Sequence, residues 1–155
     1  MKRNDLALAL LRIAVGVFFA VFGEYKIVGP EFVHGGFRHW IERFIDHGAY
    51  PFMLSVLRDF VLPHEIVWGW LVAVGESAIG VALILGIWVK PASVAGLLLM
   101  LAMLFSSDYP GANAPPWHYF GASLDHSVFA LCFCAFLVGD SRAALALHFV
   151  SSGPR

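Results

Sequence analysis

Four stretches of the chain, about residues 6–26, 66–89, 92–105 and 118–138, are apolar almost throughout, and polar residues gather between them. At about 1.5 Å of rise per residue, the first and second are long enough to cross a hydrocarbon core of about 30 Å. The pattern predicts an all-α membrane protein, a bundle of four transmembrane helices forming a single domain over residues 1–155. Residues 30–64 differ. There Phe37, Trp40, Ile41, Phe44 and Ile45 recur at three-four spacing with Arg38, His39, Glu42, Arg43 and Asp46 on the other side. This is the signature of an amphipathic helix lying at the membrane interface. The apolar stretch from Pro51 to Leu62 contains Arg58 and Asp59 and stops at Pro63, too short to span comfortably. A half-buried or re-entrant helix covering the bundle mouth is expected.

Lys90-Pro91 is read as the tight turn between the second and third spans, since proline suits the first turn of a helix. The segment SSDYPGANAPPW, 106–117, is rich in Pro, Gly and Asn and is expected to form an ordered cap, with Tyr109, Trp117 and Tyr119 as interfacial anchors. The fourth span is expected to end at Gly139-Asp140-Ser141-Arg142, followed by a short amphipathic tail, 143–150. Basic residues precede the first apolar run, but the run is too long for a signal peptide and lacks a small-x-small cleavage site, so it is read as a retained first helix. Four spans place both termini on one side. Lys2, Arg3, Lys90, Arg142 and Arg155 fall on that side, and the basic-residue rule points to cytoplasmic termini.

Within the spans, polar residues follow helical stripes. Arg12, Gly16, Phe19, Gly23 and Lys26 share one face of the first helix, and Gly69, Ala73, Glu76, Gly80 and Leu83 share one face of the second. Small residues let helices approach closely, so both stripes are expected to face protein. For Arg12 and Lys26 the competing expectation is that they snorkel to opposite interfaces. Glu76 is the anomaly. An ionised group at the centre of a membrane helix costs about 2.5 to 3.5 kcal/mol on insertion scales, and such groups face a partner, a bundle interior or a ligand. Counting the helix rise inward from Trp88 and from Gly139 puts Glu76 at about 18 Å and His126 at about 20 Å, with Asp125 beside it. Arg12 is much shallower. His126 or Asp125 is therefore the expected neighbour of Glu76, either as an ion pair able to relay protons or beside a neutral carboxyl that donates a hydrogen bond. A purely structural hydrogen bond between helices is the alternative.

Composition agrees with the membrane reading. The 155 residues are 59% hydrophobic and only 14% charged, and the mean hydropathy is +0.76; soluble domains carry about 25% charge. With 10 Lys+Arg against 11 Asp+Glu there is no basic footprint for nucleic acid. Cys132 and Cys134 are two apart, which points them to nearly opposite sides of a helix and forms neither a redox pair nor a zinc pair. A bis-histidine haem lacks a second deep histidine, and no soft metal cluster is visible, so no metal is expected.

Arg12-x3-Gly16-x6-Gly23-x2-Lys26, then Glu76 with Gly80 and Gly86, the Lys90 turn and Gly139-x2-Arg142, in that order, resemble the DoxX family of small four-helix membrane proteins. GGFRHWIERFIDHG resembles that family's short interfacial helix after the first span. The stretch 50–64 and the loop 106–117 are longer than the family pattern. The resemblance implies a link to the membrane subunit of thiosulfate:quinone oxidoreductase and to other membrane redox assemblies, in the bacterial or archaeal cytoplasmic membrane.

The reading that follows is a membrane subunit of a quinone-linked oxidoreductase. It would form a quinone or proton-relay site or anchor a redox partner, in a homo-oligomer or a larger complex within the bilayer. Glu76, His126 and Asp125 are the expected proton-relay or quinone-bonding residues, and Glu76, His126, Arg12 and Lys26 the expected contacts for the quinone. No redox centre of its own is evident. The alternatives are a non-catalytic accessory subunit and, third, a small-molecule or lipid carrier. The third lacks the inverted repeats or broken helix pair of a transporter.

Overall fold

The computed structural model describes residues 3–29, 31–120 and 124–139. Among them every regular element is helical. The first helix, α1, runs from Arg3 to Val28. A short irregular π-type turn, Phe32–Gly36, leads into α2, Phe37–His47. Pro51 opens α3, Pro51–Ser55, which continues through a π-type stretch and a 3-10 turn into α4, Glu65–Leu85. Then come α5, Val89–Ser107, the 3-10 turn Pro116–Phe120 and α6, Asp125–Val138.

Among the described residues, three helical runs are long and apolar enough to cross a membrane: Asn4–Val28, Pro51–Leu85 and Val89–Ser107. The fourth apolar helix, α6, is shorter. Large apolar side chains such as Leu10, Val17, Leu71, Leu98 and Leu131 stay exposed, as suits positions that face lipid.

The most extensive pairing is between α1 and α4, and it follows from the two small-residue stripes meeting each other. A Cβ at Gly16 would stand 2.9 Å from the carbonyl oxygen of Gly80, and one at Gly23 would collide with Ser77. The backbones are thus in direct contact, which only glycine at these positions permits. On the other side of the protein α5 packs on α6, where the Phe133 ring sits on Gly96. Val15 and Phe19 of α1, Ile79 and Leu83 of α4, Met100 of α5 and Phe133 and Phe136 of α6 form one core, with Phe133 edge-on to Phe19 at 5.2 Å. A second cluster, Phe37, Ile41, Ala49 and Leu57, joins α2 and the 51–64 segment to Trp68 and Val72 of α4.

Several boundaries depart from expectation. The turn between the second and third apolar helices lies at Gly86–Trp88, not at Lys90-Pro91. Gly86 takes a left-handed φ of 73° as the cap of α4, and Trp88 follows at φ 48°. Lys90 and Pro91 already belong to the first turn of α5, so α5 extends beyond 92–105 at both ends. The expected helix 118–138 begins only at Asp125, because Pro115 and Pro116 favour a tight turn and Leu124 stands at φ 60° before the first helical residue. The 51–64 segment does not stand apart as a separate helix. Pro63 remains compatible with a 3-10 turn, so the chain stays helical from Pro51 into α4, bending at His64 (φ −120°, ψ 31°). Lys2, the close at Asp140 to Arg142, the tail 143–150 and Arg155 lie outside the described residues.

Candidate functional site

Antiparallel pairing of α1 with α4 fixes what Glu76 meets. Gly23 lies against Ser77, so the next residue along the α1 stripe, Lys26, comes opposite Glu76. Lys26 Nζ donates to both carboxylate oxygens, at 2.6 Å to Oε1 and 2.5 Å to Oε2. The two side chains are 18% and 7% exposed, so the pair is largely withdrawn from solvent. The Lys26 ammonium also lies 5.3 Å from the centre of the Phe32 ring, a cation–π contact that holds it inward. Lys26 therefore does not snorkel outward, and the partner of Glu76 is neither His126 nor Asp125. Depth along a helix says which residues can be level; the register of the glycine stripes decides which of them touch.

His126 and Asp125 nevertheless line the same cavity as Lys26 and Glu76. It measures about 220 Å³ and is otherwise walled by Phe and Met side chains of α1, α5 and α6. His126 has a partner that spacing did not suggest: its Nδ1 lies 2.8 Å from Asp108 Oδ2. Asp125 Oδ1 is 3.5 Å from the same nitrogen and accepts the backbone N–H of His126 at 2.9 Å. Asp108 closes α5 and comes eighteen residues before His126. Its only sequence mark was a place in a Pro- and Gly-rich loop. Arg12 belongs elsewhere. It is fully buried on the same α1 stripe, but about 20 Å along the helix from Lys26, and it does not line the cavity.

A larger cavity of about 650 Å³ adjoins the first and shares Phe22, Lys26, Met103 and His126 with it. Its remaining wall is almost wholly apolar, with Tyr25 from α1, Phe37, Trp40 and Phe44 from α2, and Val72 from α4. The apolar face of α2 is thus turned onto this cavity. Arg38 fastens α2 from outside: Nε donates to Glu42 at 2.8 Å and Nη1 to Glu65, at the start of α4, at 2.6 Å. Its hydrogen bond to the Glu65 carboxylate raises the Arg38 pKa further. A third space of about 600 Å³, more polar, lies on the other side of Asp108 and includes His47, Tyr109, Trp117 and His118. Tyr50 supports its rim. The Tyr50 hydroxyl donates to the Tyr119 carbonyl at 3.3 Å, and its backbone N–H donates to Phe105 O at 2.9 Å. Burial, and after it the neighbouring Tyr119, push the Tyr50 hydroxyl pKa up.

The chemistry available here is that of a largely apolar chamber with Lys26, Glu76 and His126 at the junction of its two parts. Lys26 and Glu76 cancel each other's charge, and a hydrogen-bond donor on Lys26 and an imidazole on His126 border the chamber. A family model described as DoxX matches residues 7–107, well over half of the chain. No curated protein and no solved structure matches it.

Proposed function

The chain belongs to the DoxX family, and from that premise we propose that this integral membrane protein is a subunit of a quinone-linked oxidoreductase that binds the quinone between Lys26, Glu76 and His126. The observation that carries this reading is the cavity of about 650 Å³, lined mainly by apolar side chains, with Lys26, His126 and Ser107 among its few polar ones. A quinone ring is neutral and offers two carbonyl oxygens, each needing a donor. The Lys26 ammonium can supply one and His126 the other, while the aromatic wall takes the ring and its isoprenoid tail. A charged head group fits less well, because the Lys26 charge is already cancelled by Glu76 at 2.5 Å. Glu76, His126 and Asp125 are then the groups placed to exchange protons with bound quinone, and the electrons come from a redox partner docked on the protein, in a homo-oligomer or a larger membrane complex.

In this reading α6 completes a four-span bundle, α2 lies in the interface, the 51–64 segment covers the bundle mouth and the termini are cytoplasmic. The test is quinone binding to the purified protein, followed by quenching of tryptophan fluorescence. Replacing His126 by Phe removes a donor to one quinone carbonyl and should weaken binding about tenfold, the value of one hydrogen bond, while leaving the Lys26–Glu76 pair in place. Unaltered affinity would remove His126 from the site. A non-catalytic accessory role has its own support, since Lys26 and Glu76 satisfy each other and tie α1 to α4 without a ligand. Extraction in mild detergent tests this second reading, because an accessory subunit must migrate with a larger complex and persistent migration as a lone small protein would count against it.

A further inference from the structure

We propose that Asp108, Asp125 and His126 form a binding site for a divalent first-row transition-metal ion at the mouth of the cavity. Three potential ligand atoms, one from each residue, lie within 4.8 Å of one another. They are a mixed set of one imidazole and two carboxylates, contributed by the end of one helix and the start of the next. Between Asp108 and residue 120 the chain is held by hydrogen bonds from Tyr50 to the Tyr119 carbonyl and from the Tyr119 hydroxyl to the Gly111 carbonyl.

The donor geometry suits such an ion. Ligands at about 2.0 to 2.2 Å from a tetrahedral metal stand about 3.4 Å apart. His126 Nδ1 is 3.5 Å from Asp125 Oδ1 and 2.8 Å from Asp108 Oδ2, so relative to the imidazole Asp108 must withdraw by about half an ångström, and the two carboxylates, within 4.8 Å of each other, must settle at the same spacing. The charges also suit it. Ligation requires a neutral imidazole with its lone pair on Nδ1, and a divalent ion then balances two carboxylates. A single Nδ1 proton, by contrast, can serve only one carboxylate at a time. Two of the three side chains are well shielded, Asp108 at 10% and His126 at 20% exposure, which favours a fixed site over a loosely held counter-ion. The polar space beyond Asp108 gives the ion a way in and room for water ligands, with His47 and His118 on its wall. Carboxylate and imidazole without thiolate select Mn, Fe or Zn and not monovalent copper.

The experiment uses Co²⁺ alone as the probe, on full-length protein purified without a histidine tag and freed of metal by chelator. Visible absorption should report one saturable equivalent per chain that Zn²⁺ displaces. Asp125→Asn, at the most exposed of the three positions, should weaken Co²⁺ binding at least about tenfold with an unchanged melting temperature, and His126→Gln should abolish it. Two results would overturn the proposal: no saturable spectrum from the wild type, or variants that bind like the wild type because other histidines hold the ion. No quinone enters the measurement, so its outcome is independent of the quinone reading.

Discussion

Lys26 and Glu76 are fifty residues apart in sequence and share a proton-rich contact that neither helix could supply alone. Removing one partner leaves the other as a largely buried charge, whereas removing both leaves a packing problem only. Lys26→Met is therefore expected to cost about 3 to 5 kcal/mol, and the double replacement Lys26→Met with Glu76→Met markedly less. Unfolding in detergent, compared across the three proteins, measures the difference; equal losses in the single and double variants would show that the pair carries no coupling. The residue scale is also where the sequence is most uneven as a guide. Glu76 stands out because a carboxylate within an apolar run needs an explanation. Lys26 could be assigned to a stripe but not to a partner, since helical spacing fixes a face and leaves the offset between two faces open. Asp108 carried no signal, because nothing local distinguishes a loop aspartate that meets a histidine from one that meets water.

At the scale of elements, the α1–α4 contact depends on the absence of side chains. A methyl at Gly80 would meet the Gly16 carbonyl oxygen at 2.7 Å and the Ala20 backbone closer still. Backbone cannot swing aside as a flexible side chain can. Gly80→Ala is expected to destabilise by about 1 to 3 kcal/mol through overpacking, read as a lower melting temperature, while Gly75→Ala, with open space around its Cβ, should not. Equal behaviour of the two would mean that the helices separate readily. The helices themselves were legible from apolar length, and α2 from its three-four spacing. Their ends were less so. The turn at Gly86–Trp88 rests on left-handed backbone at Gly86 and again at Trp88, and the start of α6 at Asp125 follows a Pro-rich stretch and the left-handed Leu124, which periodicity does not record.

At the scale of the whole molecule, two cavities share Lys26 and His126, and a third opens at Asp108, the hydrogen-bond partner of His126. That convergence was only half visible beforehand. The level of Glu76, Asp125 and His126 was estimated from helix rise, but the space they line is set by how α1, α4, α5 and α6 pack, and the larger one beside it by α2 facing α1 across it. The pairing of Lys26 with Glu76 also bears on biogenesis. Because α1 precedes α4 in synthesis, the ammonium is already in the membrane when the carboxylate arrives, and the insertion penalty of the later helix is offset by its predecessor. A chain that lacks residues 3–28 should insert α4 less completely, by an amount that reflects a penalty of about 3 kcal/mol, and Glu76→Leu should restore it. Glycosylation mapping of the truncated chains would read this directly, and full insertion with Glu76 in place would mean that α4 enters the bilayer unaided.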